Sequence, residues 1–454
     1  MRKIASTYII ICSLFALSAC DRFLDITPTG KVIAKTAEEY RALLTYEYKY
    51  FPKDRALLAL RSDELSLAAS YTSDLDYESF FDLWRWNDDA PMTTTASFGW
   101  RRYYHAVYIA NYVIARQSEI TQGTADEVEQ LVGEAYMLRA YSLFILANLY
   151  AVPYTSVAPE QTRGVPVLLE ADVDAVPGSS SLAEVYAQVL RDVDEAARHL
   201  RVETWELGKN YRFNTLSAAC LRARTCLYMG DWQGALEASQ AVLAVRSELE
   251  DFRSAASALP TLYTSVENIV ALEQNMPAAY ATIGRPDAAF LNLYSTGDLR
   301  RTKFYRRVTA SVSTLQKGGT DEFACTFRTA EFYLTAAEAC ARLGDVQGAA
   351  DYLSPLLEKR YTADALPARL AAVQAMDAAE LTAEILDERA RELAFEGHRW
   401  FDLRRTTMPA LSKAYGSETY RLGEGDSRYT LRFPTEAVEA NPAIELWNLP
   451  VAAE

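Results

Sequence analysis

Two stretches of the chain, 114 positions apart, repeat one another. Cys226, Gly230, Asp231, Gln233, Gly234 and Ala235 recur as Cys340, Gly344, Asp345, Gln347, Gly348 and Ala349. Glycine followed by aspartate suits a tight helix-to-helix connection. The glycine takes the left-handed backbone that closes one helix, and the aspartate caps the next. The flanking alanines (Ala218, Ala219 and Ala223; Ala336, Ala337 and Ala341) let two helices approach closely. The pattern predicts stacked helix hairpins, the unit of about 34 residues from which helical solenoids are built. A shift of 114 residues is three such units plus about a dozen inserted residues.

Other segments share the helical rhythm. From Asp126 to Tyr150 the apolar residues Val128, Leu131, Val132, Ala135, Leu138 and Tyr141 recur at steps of three and four. Pro153 stops that helix. A loop with Pro159, Pro166 and Pro177 leads to Ser180 or Ser181 as N-cap of a further helix ending near Leu200. Only 19 of 454 residues are glycine, below the usual share of about 7%, as expected of a chain with few tight turns. Residues 60–100 and 247–325 break the rhythm with aromatics, Ser, Thr, Gly and Pro. They are expected to form long ordered loops with short helices or strands, the kind of loop that usually carries function. The expected fold class is all-α (mainly α): a tetratricopeptide-like superhelix, with helix pairs at about 101–246 and 326–405, irregular binding loops and few short strands.

The N-terminus fixes the compartment. A basic start, Met1-Arg2-Lys3, precedes a mostly apolar run from Ile4 to Leu17 and then Leu17-Ser18-Ala19-Cys20. This is a secretory signal segment, too short for the roughly 20 apolar residues that span a bilayer. Leu-Ser-Ala-Cys resembles the lipobox of bacterial lipoproteins. That resemblance implies cleavage after residue 19 and lipidation of Cys20; the mature chain, residues 20–454, is expected to be a single domain tethered only by its lipid. With 46 basic and 61 acidic residues the net charge is −15, which becomes −17 once Arg2 and Lys3 leave with the signal. Such a surface argues against nucleic acid as a partner. Cys220, Cys226, Cys325 and Cys340 remain, without zinc spacing and with only His105, His199 and His398 elsewhere, and they are expected as buried free thiols.

The segment Asp387-Glu-Arg-Ala-Arg-Glu-Leu-Ala-Phe-Glu-Gly-His-Arg-Trp-Phe-Asp-Leu-Arg-Arg405 strongly resembles the signature of the SusD/RagB family of nutrient-uptake lipoproteins. Other family-like pieces follow in order: Leu24-Asp25-Ile26-Thr27-Pro28, Ser62-Asp63-Glu64, Trp100, Tyr104, Ala110 and Asn111. Later come Ala218-Ala219 through Asp231, Tyr294 through Arg300, and Ala337-Glu338-Ala339 before Gly344-Asp345. The resemblance spans the whole mature chain. It implies a lipid-anchored protein on the cell surface of the outer membrane. Such a protein captures a nutrient, typically an oligosaccharide and sometimes a peptide, and hands it to a SusC-like TonB-dependent transporter. It implies no catalysis and no catalytic residues; read from the residues, no cofactor and no metal are expected either. Read from the residues alone, the signature looks structural. Asp387–Arg391 and Glu396–Arg399 are spaced for ion pairs on a helix surface, Gly397 invites a closely packed neighbour, and His398 can reach Asp402.

Sugar sites of this kind use aromatic platforms flanked by polar side chains. Residues 71–87 hold Tyr71, Tyr77, Phe80, Phe81, Trp84, Trp86 and Asn87. If the stretch is extended, Trp84 and Trp86 share a face about 6 to 7 Å apart. Tyr71, Tyr77, Trp84, Trp86 and Asn87 are therefore candidate ligand contacts, with Tyr280 and Arg285 as a second patch. The competing reading has the same rings plugging the solenoid's edge. An exported glycoside hydrolase is the enzyme alternative, and it would require two carboxylates at a set separation.

Overall fold

Met229 and Leu343 each end a helix, and each is followed by a glycine with positive φ, 75° at Gly230 and 84° at Gly344. The next residue then caps the following helix: Asp231 Oδ1 accepts the Gly234 N–H at 3.0 Å and Asp345 Oδ1 the Gly348 N–H at 2.9 Å. The rest of the repeat has equally local reasons. A Cβ at Gly234 or Gly348 would lie 2.3 or 2.1 Å from the capping carboxylate. Gln233 donates to Glu237 and Gln347 to Asp351, one helical turn on, at 2.7 and 2.8 Å. Ala235 and Ala349 are buried between the helices, beside Cys226 and Cys340.

The computed structural model describes residues 34–68, 75–309 and 312–445, apart from the side chains of residues 75, 76, 281 and 282. Its main helices are α1 (Ala37–Lys49), α2 (Leu75–Trp84), α3 (Trp100–Ala115), α4 (Ala125–Tyr150), α5 (Leu182–His199), α6 (Thr215–Met229), α7 (Trp232–Val245), α8 (Thr329–Leu343), α9 (Val346–Arg360), α10 (Leu366–Gln374), α11 (Ala378–Glu392) and α12 (Arg399–Arg405). Capping boxes start α1 (Thr36 with Glu39), α4 (Thr124 with Glu127) and α5 (Ser181 with Glu184). Helices α3 to α9 pack successively, each on the next. The two repeated hairpins are therefore neighbours in space. This corrects the expectation of intervening units, because residues 246–328 leave the solenoid after α7 and return at α8 as one irregular excursion.

The strands are short. Antiparallel ladders join β1 (Leu65–Leu67) to β3 (Gly284–Pro286), β2 (Asn268–Val270) to β6 (Phe327–Arg328), β4 (Tyr305–Arg307) to β5 (Ser313–Leu315) and β7 (Leu411–Tyr415) to β8 (Glu418–Leu422). The chain is mostly helical, in keeping with the expected class. The four cysteines are buried and unpaired, and burial pushes the Cys226 thiol up to about 12 and that of Cys340 to about 11.

The signature segment fastens the excursion to the solenoid. It is not one helix: α11 ends at Glu392, Phe395 and Gly397 take φ of 60° and 74°, and α12 begins at Arg399. A Cβ on Gly397 would stand 2.6 Å from the Arg55 carbonyl oxygen, so the expected close neighbour is there, although the helix is interrupted. The expected surface ion pairs are replaced by pairs reaching far along the chain, most of them buried. Glu392 accepts from Arg300, Arg328 and Arg360 at 2.9–3.0 Å, Glu396 from Arg328 and Lys317, and Arg399 clasps Asp63 at 2.9 and 2.7 Å. His398 meets Arg55 rather than Asp402: its Nε2 lies 2.9 Å from Arg55 Nη2, while the Asp402 carboxylate serves Arg389 and Arg405. Burial and the surrounding arginines push the His398 imidazole well below its ordinary pKa, so it accepts as a neutral ring.

Candidate functional site

The two aromatic patches singled out in the sequence meet in one irregular face. Strand β1 pairs with β3, placing Ser66 opposite Arg285, and the Phe80 ring packs edge-on to Tyr280 at 5.8 Å. The hairpin β7–β8 lies over α2, bringing Tyr415 within 5.3 Å of both Tyr77 and Phe81.

Most of the expected contact rings are core residues. Trp84 and Trp86 are 0% and 1% exposed, and their indole N–H groups donate to the carbonyls of Leu65 and Arg61, both at 2.8 Å. They do not lie on an extended strand, since α2 runs to Trp84 and Trp86 has φ of 58°. The buried Lys413 ammonium sits 4.2 Å from the Trp86 ring and donates to the carbonyls of Leu60 and Trp84. Burial, with Arg61 nearby, pushes that amine well below the ordinary lysine value. Tyr280 is buried with its hydroxyl on the Ala56 carbonyl at 2.7 Å, and Tyr77 is buried against Phe81. These four rings are corrected from ligand contacts to the foundation of the face. An indole or phenol fully enclosed with its polar tip satisfied presents no surface to a sugar. Asn87 and Arg285 are half-buried at its margin, and Tyr71 lies outside the described residues.

What the face exposes is a ledge of which the sequence reading named only Phe81, in the stretch 71–87, and missed the two hairpin tyrosines. Phe81, Tyr415 and Tyr420 are partly exposed, with the Arg85 guanidinium 4.8 Å from the Phe81 ring and 5.9 Å from Tyr420. Phe81 and Tyr420 meet edge to face at 5.7 Å. The signal was present in Lys413-Ala-Tyr415-Gly416-Ser417-Glu418-Thr-Tyr420, two alternating runs around a Gly-Ser turn, which is a hairpin pattern. Beside the ledge, Asp82 organises the loop after α2 by accepting from Arg85 (2.8 Å), Asn87 (2.9 Å), the Met92 N–H (2.6 Å) and Thr95 (2.9 Å). Burial opposes its charge, but these hydrogen bonds win and hold its carboxyl below the usual value. The loop borders a cleft of about 350 Å³ reaching to residues 431–436, with Asn87 on its rim. Asp88 is held there by Arg61 at 2.7 Å, and Asp89 pairs with Arg432.

A larger cleft, about 630 Å³, lies at the starts of α1 and α4 around half-buried Trp205. Two of its arginines are already spent, Arg41 on Glu134 and Arg201 on Glu129. Among the described residues no group of three or more His, Cys, Asp or Glu side chains is placed to hold a metal ion. No described helix is long and apolar enough to cross a membrane.

Comparison with known proteins gives the arrangement its place. Residues 271–448 match the model of the SusD family, and residues 32–227 match a second model described as starch-binding associating with outer membrane. The chain belongs to the SusD/RagB family. Among similar proteins is the SusD-like protein P38 of Formosa agariphila, 24% identical over 89% of this chain and 92% of its own. A SusD superfamily structure from Bacteroides thetaiotaomicron shares the fold with a TM-score of 0.74 at 22% identity, covering 90% of this SusD-like chain and 99% of that one. The surface glycan-binding protein A of the same organism, solved with laminarihexaose, matches with a TM-score of 0.65 at 16% identity over 89% of this chain and 98% of its own. The expected family and fold are thereby established, and the family's described role is binding.

Proposed function

We propose that this SusD-like chain binds an oligosaccharide on its irregular face and delivers it to a TonB-dependent outer-membrane transporter, held at the cell surface by lipid on Cys20. The observation that carries the binding part is the ledge of Phe81, Tyr415 and Tyr420 with Arg85 beside it. Half-exposed rings on a rigid base offer flat apolar surface to the CH faces of pyranose units, while Arg85 and Asn87 can hydrogen-bond hydroxyls. Support comes from the starch-binding description of the matched family model and from the laminarihexaose complex of a protein with the same fold. The anchoring part rests on the Leu17-Ser18-Ala19-Cys20 lipobox, and transfer to a transporter rests on the family resemblance.

The test is a binding screen of the purified protein against neutral and acidic oligosaccharides and peptides, followed by Phe81→Ala with Tyr420→Ala. A glycan hit weakened at least about tenfold by the double substitution, a loss of about 1.4 kcal/mol, is the expected result. A peptide-only hit moves the reading to peptide uptake. Glycan binding indifferent to the ledge rejects the site. Metabolic labelling with radioactive palmitate, lost in Cys20→Ser, tests the anchor separately.

A further inference from the structure

The two most exposed aromatic side chains among the described residues lie away from the irregular face. Tyr46, on α1, and Tyr50, just past its end, are 52% and 46% exposed. They are one helical turn apart, so their rings meet, with centroids 4.5 Å apart and planes inclined at 46°. The surroundings are built rather than incidental. Arg102 of α3 stands 5.8 and 5.7 Å from the two ring centroids, and its Nε donates to the Tyr50 carbonyl at 3.2 Å. Beneath, the buried Glu47 carboxylate takes Arg102 Nη2 at 3.5 Å and His105 Nδ1 at 3.0 Å.

The charge here runs against the rest of the protein. Lys49, whose ammonium is 5.3 Å from the Tyr50 ring, has no carboxylate partner among the described residues. Arg101 is exposed one turn before His105 and likewise has no ion pair there. Of the carboxylates nearby, Glu47 is occupied by Arg102 and His105, and Asp321, which lines the cleft described next, pairs with Lys53 at 3.3 Å. Lys49 also lines a cleft of about 510 Å³ with Thr45, Lys53, Tyr211 and Gln274, a volume within the usual range of about 300–1,000 Å³ for ligand sites.

We propose that the Tyr46–Tyr50 ledge and the cleft beside it form a second saccharide site, specific for oligosaccharides that carry carboxylate or sulfate groups. The rings stack against the sugar, Arg101 and Lys49 take its anionic groups, and Arg102, held by Glu47 and the Tyr50 carbonyl, supports the rings. Opposite charge in a surface of net −17 discriminates by local potential, so binding falls as salt is raised. The proposal shares with the function above only the class of ligand, because none of its residues belongs to the irregular face.

Affinity electrophoresis in gels containing polygalacturonate, a sulfated galactan or neutral laminarin separates the possibilities. The wild-type protein is expected to be retarded by at least one acidic polymer, with retardation falling severalfold between 50 and 300 mM salt. Tyr46→Ala with Tyr50→Ala abolishes that retardation, and Lys49→Ala with Arg101→Ala, which leaves the rings in place, weakens it and flattens the salt response. Phe81→Ala with Tyr420→Ala leaves it unchanged. Failure of both acidic polymers to retard the wild-type protein overturns the proposal while leaving the irregular face to be judged by its own screen. So does acidic binding that survives loss of both tyrosines. If those substitutions instead abolish co-purification with the co-expressed transporter and spare saccharide binding, the surface belongs to a protein contact and the proposal fails. The side chains of Tyr46, Lys49, Tyr50 and Arg101 are exposed, and an unchanged thermal unfolding midpoint checks that each variant is folded.

Discussion

Trp84 and Trp86 illustrate how little a residue's type says about its exposure. Both read as platform residues in the sequence, yet each indole is closed in and hydrogen-bonded to a backbone carbonyl. Replacing either by alanine is expected to cost about 3–5 kcal/mol, seen as a lower urea midpoint at unchanged slope. Tyr420→Ala, on the ledge above, should cost far less stability and more ligand affinity. What hid this from the sequence is tertiary: the carbonyls of Leu65 and Arg61 belong to a different segment, and the positive φ at Trp86 turns its ring inward. The hairpin carrying Tyr415 and Tyr420 was legible in its Gly-Ser turn, but nothing local places it over α2.

At the scale of elements, the hairpin repeats were the most legible feature because every repeated position acts within a turn or two. Asp345→Ala removes one cap and is expected to cost about 0.5–2 kcal/mol, measurable by chemical unfolding. The signature segment was legible as structural, but its pairing was not. Glu392 gathers three arginines from positions 300, 328 and 360. Side chains so distant in sequence meet only after the excursion has folded back. Glu392→Ala leaves those guanidinium groups buried without their shared partner, and a loss of about 3–5 kcal/mol in unfolding free energy is expected.

Across the whole molecule, opposing groups set the pH response. Burial raises Asp54 and Glu64 to about 7. Their contribution is therefore complete below the ordinary carboxylate range and is lost as pH rises through 7. Burial also opposes the charge on Glu388, but Arg300 and Arg391 beside it win and hold it at about 2, so its contribution is present above the ordinary range and fades as pH falls toward 2. The urea midpoint is expected to peak near the ordinary carboxylate range, at about pH 4 to 4.5, and to decline on both sides. Glu64→Gln, which keeps the acceptor for the Phe395 N–H, should flatten the upper limb, and an unchanged upper limb would refute the assignment.

The return of the chain from α7 to α8 has a consequence for how such a protein can diversify. Because these helices touch directly, residues 246–328 form a cassette whose two ends are already side by side. Doubling the length of such a loop costs only about 0.6 kcal/mol in closure entropy, so a longer or differently composed cassette need not disturb the helices that carry it. The freedom is bounded by the rivets Glu267, Asp298, Arg300, Lys317 and Arg328, whose buried partners lie at the end of α9, in the C-terminal segment or in one another. New specificity can be written between those rivets, and a graft that omits one of them should leave a buried charge unanswered and fail to fold.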